Sequence, residues 1–328
     1  MPWFDMPLER LREYRTSTDE PDELDEWWAA RLAQARAQAS PPTLTPHQPG
    51  LYDPFEVYDV EFSGAGGDRV RAWYLRPGGD GTARPVVVKF IGYGGGRGTP
   101  SEHILLAALG YAVLVMDSRG QGGRSTIGAT GDGPGSTGPE NSQVMTRGIL
   151  NPESYYFTRL FTDAVRAVDT AVELAGSPDP GSARVAVTGA SQGGALALAT
   201  AALAGETVAV CHADVPFLCD IQRAITLAPR APYTEIPEFL AENVTLIEPA
   251  LNTLRYIDCA LLARRISAAT LVSVGLMDGI CPPSTVFAAY NEIPVQDKEI
   301  AVFPYSGHSW PKAHVERQLR HLRDRLPG

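Results

Sequence analysis

The pentapeptide Gly189-Ala190-Ser191-Gln192-Gly193 is where this chain could place a reactive hydroxyl. It follows an apolar run, Val185–Thr188, that reads as a strand, and precedes an alanine-rich stretch, Gln192 to Ala204, that reads as a helix. A Gly-x-Ser-x-Gly at a strand-to-helix junction is a nucleophile elbow. The turn is sharp and strained, and glycines two positions either side let the strand and helix backbones approach without a Cβ clash. A serine hydroxyl is a weak nucleophile near neutrality and needs a base. Of six histidines, His308 is the expected base, since Tyr305-Ser306-Gly307-His308 is a loop following the last apolar run. His314 and His321, seven apart on the terminal helix, read as solvated; His47, His103 and His212 read as structural. The base in turn needs a carboxylate to fix its tautomer and stabilise the imidazolium. Asp278 lies just past the end of a buried run, Thr270–Val274, whereas its competitor Asp258 precedes a helix and follows no strand. Ser191, Asp278 and His308 then run along the chain in an order known for such triads. Charge developing on a substrate oxygen calls for two fixed donors. The expected pair is the backbone N–H of Gln192 and that of Tyr93, in Gly92-Tyr93-Gly94-Gly95-Gly96, where a merely flexible turn is the plain alternative.

Elements able to position these residues are legible on either side of them. An arm comes first (1–50): a polar helix from about Pro21 to Ala39, then a proline-rich connector from Ser40 to Pro49. Alternation in Val57–Phe62 and Val70–Leu75 across a Gly-Gly-Asp turn predicts an antiparallel hairpin at one edge of a sheet. Apolar runs at Val86–Phe90, Ala112–Asp117, Val185–Thr188, Val208–Val210, Thr270–Val274 and Glu299–Phe303 alternate with helical patterns near Glu102–Leu109, Thr158–Leu174, Gln192–Ala204 and Lys312–Arg325. Strands apolar on both faces and separated by helices imply an α/β fold with a mostly parallel sheet covered on each side. Residues 51–328 read as one domain, in which about 215–265 forms a short helical insertion able to sit over the sheet's carboxyl edge as a partial lid. A glycine-rich loop covers Gly120 to Gly138.

Composition narrows the partners. Lys and Arg total 28 against 38 Asp and Glu, a net charge of −10, so no basic surplus exists to neutralise phosphates; neither nucleic acid nor membrane is an expected partner. Met1-Pro2-Trp3-Phe4-Asp5 lacks the basic and apolar regions of a leader, and the expected location is the cytoplasm. The four cysteines, Cys211, Cys219, Cys259 and Cys281, are widely spaced and read as buried free thiols. No Cys-x-x-Cys or His-Glu-x-x-His occurs, so neither metal nor cofactor is expected.

Taken together, Arg119-Gly120-Gln121-Gly122, the elbow Gly189–Gly194, Asp214-Val215-Pro216-Phe217-Leu218, the run Gly275–Thr285 and Gly307-His308 resemble the acetyl xylan esterase and cephalosporin C deacetylase family (carbohydrate esterase family 7) of the α/β-hydrolase superfamily. The likeness extends from about Val57 to the C-terminus. It implies an α/β-hydrolase fold and, without metal, hydrolysis of acetyl esters on xylo-oligosaccharides and of the acetyl group of cephalosporin C. It also implies ring-shaped homohexamers and a small acyl pocket. By position it implies a triad of Ser191, Asp278 and His308, oxyanion donors at Tyr93 and Gln192, and a substrate-binding wall from Tyr93 and Pro216. The family usually has Glu after the catalytic His, where this chain has Ser309, and the loop from Gly122 to Asn151 matches poorly. The expectation is therefore a cytoplasmic serine esterase acting on small acetylated carbohydrates through an acetyl-enzyme. Alternatives are a general short-chain carboxylesterase or arylesterase on non-sugar esters and, from another class, a non-catalytic homologue acting as a binding protein.

Overall fold

The structure, a computed structural model, describes residues 4–79, 83–123, 126–133, 136, 138–140, 143–176 and 184–326. Parts of the glycine-rich segment, such as 124–125, 134–135 and 141–142, lie outside the described residues. Among the described residues nine strands form one sheet: β1 (Thr43–Pro46), β2 (Phe55–Ser63), β3 (Arg69–Pro77), β4 (Val86–Phe90), β5 (Ala112–Met116), β6 (Val185–Ala190), β7 (Val208–Asp214), β8 (Ala269–Gly275) and β9 (Lys298–Phe303). Their spatial order is β1-β2-β3-β5-β4-β6-β7-β8-β9. Pairings from β1 through β3 to β5 are antiparallel, and the remainder are parallel. The order reverses at β4, which lies between β5 and β6, and such a switch point opens a crevice at the strands' carboxyl ends.

Helices cover both faces. They are α1 (Leu8–Leu11), α2 (Leu24–Ala37), α3 (Ile104–Ala108), α4 (Tyr156–Leu174), α5 (Gln192–Leu203), α6 (Ile221–Leu227), α7 (Glu235–Glu242), α8 (Ile247–Arg255), α9 (Cys259–Leu262), α10 (Pro283–Glu292) and α11 (Ala313–Arg325). Alternation along β4 divides its side chains between the two layers. Val86, Val88 and Phe90 join Leu160 and Val165 of α4 and Leu196 of α5 in the main core, while Val87 packs with Ala186, Val210 and Leu322 on the opposite face. The alanine-rich α5 is buried from Gln192 through Ala202, as a helix apolar all round must be. Among the described residues no helix is long and apolar enough to cross a membrane.

Three sequence expectations change. The connector contains an edge strand, β1, that pairs with β2, so the hairpin β2–β3 is not itself the sheet edge. Thr-Leu-Thr-Pro carries no period-2 apolar signal because all four residues are exposed. His314 and His321 are buried, at 3% and 4% exposure, and not solvated. His314 Nε2 meets Asp214 Oδ1 at 2.9 Å and His321 Nδ1 meets His212 Nε2 at 3.1 Å, so the polar-looking α11 turns its histidines onto the sheet.

The arm is bound to distant parts of the chain. Trp28 Nε1–H donates to Tyr256 O (2.9 Å), the hydroxyls of Tyr14 and Thr16 donate to the Asp220 carboxylate (2.7 and 2.8 Å), and Asp5 accepts the Ser284 N–H (2.7 Å).

Candidate active site

Ser191 stands between β6 and α5 with φ 56° and ψ −120°, a conformation non-glycine residues seldom adopt and one that keeps its side chain at the rim of the sheet. Close packing enforces the turn. A Cβ on Gly189 would lie 2.4 Å from the Gly193 carbonyl carbon, and one on Gly193 would lie 2.5 Å from Phe90 O. Ser191 N–H donates to Asp214 O (2.9 Å) and its carbonyl accepts from Phe217 N–H (3.0 Å), tying the elbow to the end of β7.

Asp278 follows β8, is fully buried, and directs its Oδ2 to His308 Nδ1 at 2.8 Å. Its Oδ1 accepts the backbone N–H groups of Ile280 (2.8 Å) and Cys281 (3.0 Å), which holds the carboxylate in place. With Nδ1 facing a carboxylate, His308 carries its proton there and presents Nε2 as the free lone pair. Its side chain keeps 22% exposure on the loop after β9. Ser191 and His308 line the same cavity of about 540 Å³. The Ser191 hydroxyl lies beside the thiol of Cys281, and among the described residues no hydrogen bond joins it to His308. Hydrogen bonds of this kind are often open in a substrate-free site and tighten on binding. Burial, with Asp278 adding to it, raises the Cys281 pKa and keeps a neutral thiol beside the serine.

Asp258 is occupied elsewhere. Its carboxylate accepts N–H groups of Asp220, Ile221 and Ala260 at 2.7–2.8 Å, capping α9 and fixing the insertion. Burial and the neighbouring Asp220 push its pKa up to about 7.

A glutamine joins the two segments that carry the expected oxyanion donors. Gln121 Oε1 accepts the Gly94 N–H at 2.6 Å, and its Nε2 donates to Gln192 Oε1 at 2.8 Å and Tyr156 OH at 2.7 Å. Gln192 Nε2 in turn donates to Ile91 O (3.3 Å). The Tyr93 loop and the first residue of α5 are thus held by one buried amide network. The Gln192 N–H lies in the first turn of α5, where no intrahelical acceptor exists. Behind Gln121, fully buried Arg119 contacts Asp163 (2.6 Å), Asp68 (3.0 Å) and Asp132 (3.5 Å). Burial works against its charge, and the three carboxylates outweigh that and raise its pKa.

Tyr93 is half-buried. Its hydroxyl donates to Glu235 at the start of α7 (2.9 Å) and accepts the Val144 N–H (3.1 Å). Its ring meets Phe217 edge-on at 6.3 Å, and buried Pro216 sits against α5, where a Cβ on Gly194 would lie 3.1 Å from its Cα. Tyr93 and Pro216 therefore flank the elbow on the side of the insertion. Neither lines the 540 Å³ cavity, which opens instead towards α3 and α11. Among the described residues, the group whose ligand atoms could gather around a metal is Asp278, Cys281 and His308, with those atoms within 4.8 Å of one another.

Sequence reasoning missed the bridging role of Gln121, the Ser191–Cys281 contact and the Tyr93–Glu235 bond. The Arg119-Gly120-Gln121-Gly122 element was visible as a motif, but its contact at Gln192 lies 71 residues away.

The acetyl xylan esterase family model matches residues 1–325. The chain belongs to the acetyl xylan esterase family. That family consists of carboxylic ester hydrolases. Its solved structures include the acetyl xylan esterase of Paenibacillus sp. R4, 34% identical with a TM-score of 0.86, covering 98% of this chain and 100% of that one. Acetyl xylan esterase 1 of Thermoanaerobacterium sp. JW/SL YS485 is likewise 34% identical with a TM-score of 0.86, covering 99% of this chain and all of the other. These matches make the fold that of the α/β-hydrolases, with antiparallel N-terminal strands on a parallel sheet. A curated relative, acetyl esterase Axe7A of Xylanibacter ruminicola, is 29% identical over 296 residues, which are 89% of this chain. The chain spans 64% of that relative's length.

Proposed function

We propose that the protein is a serine esterase that removes acetyl groups from small acetylated carbohydrates such as xylo-oligosaccharides. The observation that carries this reading is the Asp278–His308 bond at 2.8 Å opening on the same cavity as the elbow serine, in a chain of the acetyl xylan esterase family. His308 Nε2 takes the Ser191 proton as Oγ attacks the acetyl carbonyl. The N–H groups of Tyr93 and Gln192 receive the oxyanion, and Asp278 stabilises the imidazolium. Collapse breaks the C–O bond to the alcohol, which leaves with the proton from His308. Water, deprotonated by the same imidazole, then splits the acetyl-enzyme to acetate and free Ser191. Walls at Tyr93 and Pro216 confining the acyl group to about the size of acetyl are part of this reading and rest on the family resemblance. Deacetylation of cephalosporin C, assembly as a homohexamer and a cytoplasmic location belong to the same proposal and rest on the resemblance of the sequence motifs and on the composition.

Ser191→Ala should abolish p-nitrophenyl acetate hydrolysis and fluorophosphonate labelling while leaving the melting temperature near that of the parent. Unchanged turnover by a folded variant would refute the assignment. A small acyl pocket predicts a fall of at least about tenfold in kcat/KM from p-nitrophenyl acetate to the hexanoate, about 1.4 kcal/mol of transition-state binding. A flat acyl profile would instead favour the general carboxylesterase reading.

A further inference from the structure

The cavity at the elbow is far larger than a sugar acetate's leaving oxygen requires. It extends along the sheet face from Ser191 to Ala186, five residues down β6 and so about 16 Å along the strand, between α3 and α11. Its walls are chiefly Val87, Leu105, Leu106, Val315, Leu319 and Leu322. Besides Ser191, His308 and Trp310, five polar side chains line it, and four of them, Lys89, His212, Asp214 and Gln318, spend hydrogen bonds on protein partners, which leaves the Thr188 hydroxyl. Lys89 Nζ is 3.1 Å from His103 Nδ1, whose other ring nitrogen meets Arg97 O at 2.8 Å. His212 pairs with His321 at 3.1 Å. Asp214 accepts from Ser273 Oγ (2.7 Å) and Gln318 Nε2 (2.9 Å) and pairs with His314 (2.9 Å). A polyhydroxylated alcohol would find few unengaged partners in this space, whereas an alkyl chain would leave water for it at a gain.

The side on which the cavity opens fixes which half of an ester it can hold. In the breakdown of the tetrahedral intermediate His308 delivers its proton to the leaving oxygen, so the alcohol lies on the imidazole's side of the serine. The cavity is lined by Ser191, His308 and Trp310, and not by Tyr93 or Pro216, the proposed walls of the acyl side. We infer that this cavity is a leaving-group site for apolar alcohols, so that acetate esters of medium-length alkyl alcohols form a second substrate class beside acetylated sugars. The inference rests on the roles proposed above for Ser191, His308, Tyr93 and Pro216.

The chemistry is the same acyl transfer: the alkyl C–O bond to the acetyl carbon breaks, the alcohol departs with a proton from His308, and water regenerates the serine. Burying one methylene corresponds to about a fourfold gain in transition-state binding.

The test uses two isomers of one composition, hexyl acetate and ethyl hexanoate, with ethyl acetate and acetylated xylo-oligosaccharides as references, assayed by acid release on the full-length protein. The expected result is kcat/KM for hexyl acetate at least about tenfold above ethyl acetate and above ethyl hexanoate. Leu319→Trp and, independently, Val315→Phe narrow the cavity from the half-exposed face of α11, and each should collapse the hexyl-to-ethyl ratio towards one in a protein that retains its melting transition. A hexyl-to-ethyl ratio near one in the parent, a gain for ethyl hexanoate instead, or a ratio untouched by either folded variant would overturn the inference while hydrolysis of the reference acetates left the esterase reading standing. Failure to hydrolyse any acetate would overturn both.

Discussion

Replacing Gln121 by methionine keeps the volume of the side chain and removes all three of its polar contacts. In the parent these are the Gly94 N–H at 2.6 Å, Tyr156 OH at 2.7 Å and Gln192 Oε1 at 2.8 Å, all in the interior. Leaving a buried donor without an acceptor costs about 1–3 kcal/mol, and the three losses share one network and do not add fully, so the expected destabilisation is about 2–4 kcal/mol. The kinetic effect has a different origin. Gly94 is the neighbour of Tyr93, and Gln192 supplies the second proposed oxyanion donor, so the amide sets the distance between the two N–H groups. Deleting a donor outright costs about 10²–10³ in kcat. Letting one drift should cost less, on the order of ten- to a hundredfold in kcat, with KM for p-nitrophenyl acetate changed by less than about threefold, because the oxyanion exists only after attack. Steady-state kinetics well below the melting temperature, alongside urea denaturation, separates these effects, since a fully folded variant cannot lose kcat through unfolding. A stable Gln121→Met with kcat within twofold of the parent, or with its whole defect in KM, would refute the assignment of Gln121 as the residue that positions the oxyanion donors.

Two further outcomes follow from burial. Burial and the adjacent Lys89 lower the His103 pKa to about 4, against about 6.5 for an unfolded histidine. The folded state therefore binds fewer protons than the unfolded one between these values; the stabilisation is complete above about pH 6.5 and falls as pH drops towards 4, by about 3 kcal/mol in all. His103→Gln removes that proton, so the parent's stability margin over the variant should shrink between pH 7 and pH 5 in urea midpoints, and a constant margin would contradict it. Comparison with the variant is needed because Asp258, raised to about 7 by burial and Asp220, acts with the opposite sign over the same range. Gly193→Ala should destabilise by at least about 3 kcal/mol or prevent soluble folding, since its Cβ would meet backbone at Phe90 that has no room to yield, whereas Gly138→Ala, with nothing within 4 Å, should melt with the parent.

How far the sequence could be read depended on whether its signal was local. The strands β4, β5 and β8 are buried on nearly every residue and β6 over Val185–Val187, so continuous apolar runs announced them, and the elbow declared itself through glycines whose spacing is a steric need. Chain order brought Asp278 and His308 together as partners although 30 residues separate them. What escaped had no local cause. β1 is exposed throughout and holds by backbone pairing to β2, which leaves no trace in residue type. His314 sits on a helix that is polar in composition, and its burial comes from Asp214, 100 residues earlier. The cavity between α3 and α11 is a property of two helices and a sheet face, and no single segment encodes it.

The anchoring of the arm bears on how the molecule is made. Tyr14 waits for Asp220 across 206 residues, Glu20 for Arg265 across 245 and Asp5 for Ser284 across 279. At synthesis rates of about 5–20 residues per second, these partners leave the ribosome roughly 10–60 s after the arm does. Until then Trp28 can stack on Phe161 but lacks its acceptor at Tyr256, and closing loops this long places the full docking of the arm among the last and slowest events of folding. Nascent chains of this protein should therefore depend most on chaperones through the emergence of their first two hundred residues, when an aromatic segment is already out and part of its berth has yet to be translated.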